Sequence, residues 1–231
     1  MKPMRPLPRF APVEPSAPVE RQIPERAIFW PGHVDYSGDR STPDLSEFPS
    51  LVAMKARASA SPPSPLAVFA KAVSEAQDRV LIMDRFLFAP EHEVPQVNID
   101  AVLRWFGTGP AASDIRLLST ASNKDHAADI LEQFSELARS INANQPHRAS
   151  RMEIRINFNL KQALDDVHDR FAIVDDELWH FGATVGGLDP GLSAASRGWP
   201  AKKHGAIAFF DSGWKVATTN SQRHDKGTSR S

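Results

Sequence analysis

The stretch that decides the fold reads Val167-His168-Asp169-Arg170-Phe171-Ala172-Ile173-Val174-Asp175-Asp176-Glu177-Leu178-Trp179-His180-Phe181-Gly182-Ala183-Thr184. Two short apolar runs, Phe171 to Val174 and Leu178 to Phe181, flank the acidic turn Asp175-Asp176-Glu177. That pattern predicts a strand, a tight connection and a second strand. Alternate side chains of a strand share a face, so His168 and Arg170 are expected on the same side, where an imidazole and a guanidinium could address one anion. A His-x-Arg alone is common. Here it is followed by Asp175, a hydrophobic strand and Gly182-x-Thr184.

Upstream of this stretch the pattern alternates between strands and helices. Ser64-Pro65 followed by Leu66, Val68, Phe69, Ala72 and Val73 predicts an amphipathic helix with a serine cap. Arg79 to Asp84 and Asp114 to Ser119 read as buried strands. Between them, Ile99, Val102, Leu103 and Phe106 have helical spacing and stop at Gly107. The clearest helix carries Ile130, Phe134, Leu137, Ala138 and Ile141 on one face. Arg151 to Phe158 alternates polar and apolar residues, as a half-buried strand does. Downstream, Ala206-Ile207-Ala208-Phe209-Phe210 reads as the last core strand. Helices between the early strands and hairpin pairing later predict an α/β fold, a mixed β-sheet flanked by helices.

The domain is placed at residues 63–216. Residues 1–25 hold Pro3, Pro6, Pro8, Pro12, Pro15, Pro18 and Pro24 with little apolar periodicity, and read as a disordered arm. Residues 26–62 form an accessory segment and linker, and residues 217–231 a polar, disordered tail. Among 231 residues the hydrophobic share of 41% suffices for a core, and a formal charge of -1 gives no global attraction to nucleic acid or anionic lipid. The absence of cysteine removes disulfides, thiolate catalysis and Cys-type zinc sites. No apolar run of about 18 residues occurs and the first residues lack a signal-peptide pattern, so a cytoplasmic location is expected.

The central stretch resembles the phospholipase D superfamily, whose signature is His, any residue, Lys, four residues, Asp, six residues and Gly, with Ser or Thr close behind. His168, Arg170, Asp175 and Gly182 fall on that spacing, and Thr184 stands near the hydroxyl position. Arginine replaces lysine, and the His-Asp-Arg form resembles a branch of small single-motif proteins that includes a phosphoinositide-binding domain. The resemblance implies that His168 attacks phosphorus, that Arg170 holds non-bridging oxygens, and that Asp175, with Thr184, orients the site. It implies no metal and no other cofactor. Gly182 and Thr184 would lie on the substrate side. Asp84, at the end of the first core strand, is a further candidate, although a plain turn aspartate explains it equally well.

A full site in this superfamily uses two histidine motifs, and the chain carries one, with no internal repeat. Either two copies pair as a homodimer and share a site, giving a metal-independent, nuclease-like phosphodiesterase, or one motif binds a phosphate-bearing partner without cleaving it. That partner could be nucleic acid, a phosphoinositide or a phosphorylated protein. A mixed α/β domain of another family, with His168-Asp169-Arg170 only a strand start, is the third reading. His180 reads as a hydrogen-bonded core histidine and His204, after Lys202-Lys203, as a surface residue.

Overall fold

Strands that are apolar on both faces must be covered on both faces, and the apolar runs Val80 to Met83 and Phe171 to Val174 occupy the middle of the sheet. The structure is a computed structural model describing residues 22–31, 50–58, 65–88, 95–165, 167–188 and 193–227. Most of the proline-rich arm, the serine- and proline-rich linker at 59–64 and the last four residues lie outside them. Seven strands form one mixed sheet: β1 (Ala27–Phe29), β2 (Arg79–Met83), β3 (Asp114–Leu118), β4 (Ile154–Asn157), β5 (Arg170–Val174), β6 (Glu177–Phe181) and β7 (Ala195–Pro200). Their order across the sheet is β1-β7-β6-β5-β2-β3-β4. β2, β3 and β4 run parallel, and every other pairing is antiparallel.

The helices are α1 (Leu51–Ala58), α2 (Ala67–Ser74), α3 (Pro95–Phe106), α4 (Lys124–Asn144), α5 (Leu160–Ala163) and α6 (Ala206–Gly227). Apart from α1, they cover the sheet in two layers. Val80 and Ile82 of β2, with Ala172 and Val174 of β5, join a core with Phe69, Val102, Phe106, Ile130 and Phe134 from α2, α3 and α4. The alternate residues Leu81, Met83, Phe171 and Ile173 join a second core with Leu160, Phe210 and Ala217 from α5 and α6. Arg116 ties α6 to β3. Its guanidinium pairs with Asp114 at 2.9 Å and Asp211 at 2.8 Å, and lies over the rings of Phe210 and Trp214.

Three sequence expectations change. Ala206 to Phe210 starts a helix instead of forming a strand. Five apolar residues do not distinguish a strand from a buried helical turn; the continuation to Trp214 and Ala217 at helical spacing does. The strand in its place is β7, whose Ala-Ser-Arg-Gly-Trp-Pro sequence lacks an apolar stripe and contains the Gly and Pro that usually argue against a strand. The α2 N-cap is Leu66, with no side-chain cap, and its N–H donates to Gly186 O at 2.8 Å. The accessory segment supplies β1, paired with β7, and α6 runs on into the polar segment read as a tail.

Candidate functional site

β5 runs antiparallel to β2, and Phe171 stands opposite Met83. Arg170, just before Phe171, therefore meets Asp84, just after Met83. Arg170 Nε lies 3.8 Å from Asp84 Oδ1, and its guanidinium sits 4.6 Å from the centre of the Phe86 ring. Asp84 is fully buried. Its Oδ1 accepts the Phe86 N–H and its Oδ2 the Val185 N–H, both at 2.8 Å. A buried carboxylate is tolerated only with such partners, so the arrangement fixes the loop after β2, the start of β5 and the segment after β6 against one another. Arg170 Nε makes no hydrogen bond among the described residues. Thr184 is buried beside this knot and opens the 3-10 turn Val185–Gly187, its carbonyl accepting the Gly187 N–H. Gly182 is exposed; its N–H donates to Ala194 O at 2.9 Å, and a Cβ there would press on Ser193 at 3.2 Å.

Asp175 is elsewhere. It stands five residue steps from Arg170, about 17 Å along β5. Its carboxylate accepts the backbone N–H groups of Gln77, at 3.0 Å, Asp78, at 2.7 Å, and Arg79, at 3.3 Å, fastening the β5–β6 hairpin to the chain entering β2. Its φ of 57 suits the two-residue turn that joins β5 to β6. The signature aspartate expected to orient the site is thus placed at the opposite end of its strand from His168 and Arg170.

His168 is exposed and precedes the first residue of β5, where strict alternation does not apply. It lines a cavity of about 600 Å³ together with Asp169, Phe171, Leu178, His180 and His204, and Arg170 is not in that lining. His168 thus stands on the cavity, while Arg170, outside its lining, stands against Asp84 and Phe86. His180 is not a core residue. Trp179 and Phe181 on either side are buried, while the His180 side chain is 51% exposed and its Nε2 lies 3.5 Å from Asp169 Oδ1. The two-residue turn sets a register with His180 opposite Phe171, the signal that could have placed it beside the start of β5. His204 lies in the exposed turn between β7 and α6, its N–H donating to Pro200 O. Asp169, an unassigned position between two candidates, joins the site only through this geometry.

Three imidazoles from three segments thus open on one cavity with an apolar floor. Such a set can supply a nucleophile, a proton donor and a polar contact for an anion. Among the described residues no group of three or more His, Cys, Asp or Glu side chains could hold a metal ion, and no helix is long and apolar enough to cross a membrane.

No family model matches the chain, and no curated protein matches it. Solved structures do. The archaeal chromatin protein TrmBL2, whose structure is described as showing a novel mode of DNA binding, is 14% identical over 89% of this chain and 56% of its own, with a TM-score of 0.38. Phosphatidylserine synthase of Haemophilus influenzae Rd KW20 is 12% identical over 63% of this chain and 33% of its own, with a TM-score of 0.40. NucT from Helicobacter pylori is 8% identical over 83% of this chain and 96% of its own, with a TM-score of 0.44. The chain thus spans 56% and 33% of the length of the first two.

Proposed function

We propose that the protein is a metal-independent phosphodiesterase of nuclease-like type, with His168 as the nucleophile toward phosphorus. The observation that carries this reading is that His168 opens on a cavity shared with His180 and His204. That volume falls in the range of about 300–1,000 Å³ usual for small-ligand sites. Reaction through a phosphohistidine needs a second group to protonate the leaving oxygen. The single motif first suggests a symmetric dimer for it; the cavity adds two histidines of the same chain.

In this reading Arg170, paired with Asp84 beside Thr184, is a positioning residue that sets the start of β5 and hence the place of His168. His204 is suited to contact a non-bridging oxygen. Cleavage of single- and double-stranded DNA, RNA and a chromogenic diester in excess EDTA, with wild type beside His168→Ala, tests the proposal. Activity lost in the variant is expected; equal rates for the two proteins would overturn it.

A second reading is binding of a phosphate-bearing ligand without cleavage. The setting of Arg170 between Asp84 and Phe86 favours it, because a carboxylate beside the guanidinium offsets part of the positive charge that the motif would use to stabilise the transition state. A well-folded wild type that binds a phosphate ligand and cleaves none of these substrates would establish it.

A further inference from the structure

We propose that His180, held by Asp169, is the proton donor of this site and acts in the same chain as its nucleophile His168. The proposal rests on the phosphodiesterase reading and names its missing partner without a two-fold axis.

The geometry leads there in three steps. The β5–β6 register puts His180 opposite Phe171, and Phe171, Leu178, His168 and His180 all line one cavity. Asp169 Oδ1 lies 3.5 Å from His180 Nε2, within ion-pair range of a protonated imidazole, whose Nδ1 proton would then be the one passed to a ligand. Of the two further histidines on the cavity, His180 is the one with a carboxylate beside it, the arrangement that orients a catalytic imidazole. His204 rides on an exposed turn.

The chemistry balances with these two side chains and water. In the first step an imidazole nitrogen of His168 forms a bond to phosphorus while the bond from phosphorus to the leaving oxygen breaks, and the proton on His180 passes to that oxygen. In the second step neutral His180 takes a proton from water as the water oxygen attacks phosphorus. The phosphorus–nitrogen bond breaks, its electron pair returns to His168, and His180 is again protonated.

The leaving group distinguishes this role from a structural one. An alkoxide leaving from a nucleotide needs a proton; 4-nitrophenolate does not. His180→Ala and His180→Gln are expected to slow oligonucleotide cleavage by about 100- to 10,000-fold. Both should still release a first equivalent of 4-nitrophenolate from bis(4-nitrophenyl) phosphate, with a phosphorylated His168 peptide accumulating by mass spectrometry. Asp169→Asn should reproduce the defect in weaker form, and Asp169→Glu should restore part of the rate. Oligonucleotide cleavage by the His180 variants at the wild-type rate would overturn the proposal, as would the leaving-group signature appearing in His204→Ala instead. Mixing His168→Ala with His180→Ala is expected to restore nothing, since no chain then holds both groups; recovered activity would place the second histidine across a dimer. Wild type that forms no phosphohistidine, and cleaves no better than His168→Ala, would instead remove the phosphodiesterase reading itself.

Discussion

Arg170 and Asp84 meet where β5 begins and β2 ends: the guanidinium Nε stands 3.8 Å from a carboxylate with no exposed surface, which also accepts two backbone N–H groups. The pair joins three chain segments at the end of the sheet where β5 begins, next to His168. Removing the carboxylate leaves a half-buried guanidinium, the buried Val185 N–H and the partly buried Phe86 N–H without their acceptor.

Asp84→Ala is therefore expected to cost about 1–3 kcal/mol of folding stability, the penalty for stranding its backbone donors, and Asp84→Asn less, because the amide retains one acceptor oxygen. Urea unfolding of the variants checks this. A loss below about 1 kcal/mol in the alanine variant would mean the pair does not hold these segments together.

At the other end of β5, Asp175 acts through the backbone of residues 77–79. Asp175→Ala should destabilise by about 1–2 kcal/mol, as loss of a capping carboxylate does, with strain added because alanine disfavours a φ of 57. Asp175→Asn should recover much of this. Loss of phosphodiester cleavage should track loss of folded protein, measured by unfolding midpoint and rate on the same samples. A fully folded Asp175→Asn with no activity would return the aspartate to the site.

The segment after β6 packs closely against α3. Gly186 has a φ of 81, and a Cβ on it would come within 2.2 Å of the Trp105 ring. Gly186→Ala is expected to destabilise by about 2–4 kcal/mol, through overpacking and left-handed strain. Thermal unfolding would show it, and an unchanged midpoint would mean the turn can move away from Trp105.

Glu177 is buried and pairs with Arg197 through two contacts of 2.6 and 2.8 Å. Burial pushes its carboxyl above the ordinary carboxylate range, partly offset by Arg197. The folded state then holds this proton more tightly than the unfolded chain. Its contribution to stability is complete below the unfolded value and is lost as pH rises through the raised folded value. The stability difference between wild type and Glu177→Gln should therefore shrink with rising pH across the acidic range in urea titrations. A difference that grows with pH would show that Arg197 outweighs burial.

Much of this fold was legible because local patterns and tertiary roles agree. The β5–β6 hairpin, the strands β2 and β3 and the helix with Ile130, Phe134, Ala138 and Ile141 all stand where the apolar periodicity puts them. β7 was not legible, since a Gly- and Pro-containing strand is held by its neighbours β1 and β6 rather than by its own composition. The helix α6 needed its later residues Trp214 and Ala217 to declare its period. At the site, spacing singled out His168 and Arg170 and a strand end singled out Asp84, yet side-chain direction could not be read from either. Whether a residue just before a strand follows its alternation depends on where the ladder begins, and it begins at Arg170. Contacts such as Asp169 with His180 depend on hairpin register, which a motif does not encode.

The central claim is that His168 performs phosphodiester cleavage without a metal. The most direct measurement is the rate of cleavage of a labelled oligonucleotide in excess EDTA by wild type and His168→Ala, both confirmed as folded. The account predicts EDTA-resistant cleavage by wild type and its loss in the variant by at least about 1,000-fold, as expected on removing a nucleophile. Cleavage that persists in His168→Ala, or that EDTA abolishes in wild type, would contradict it.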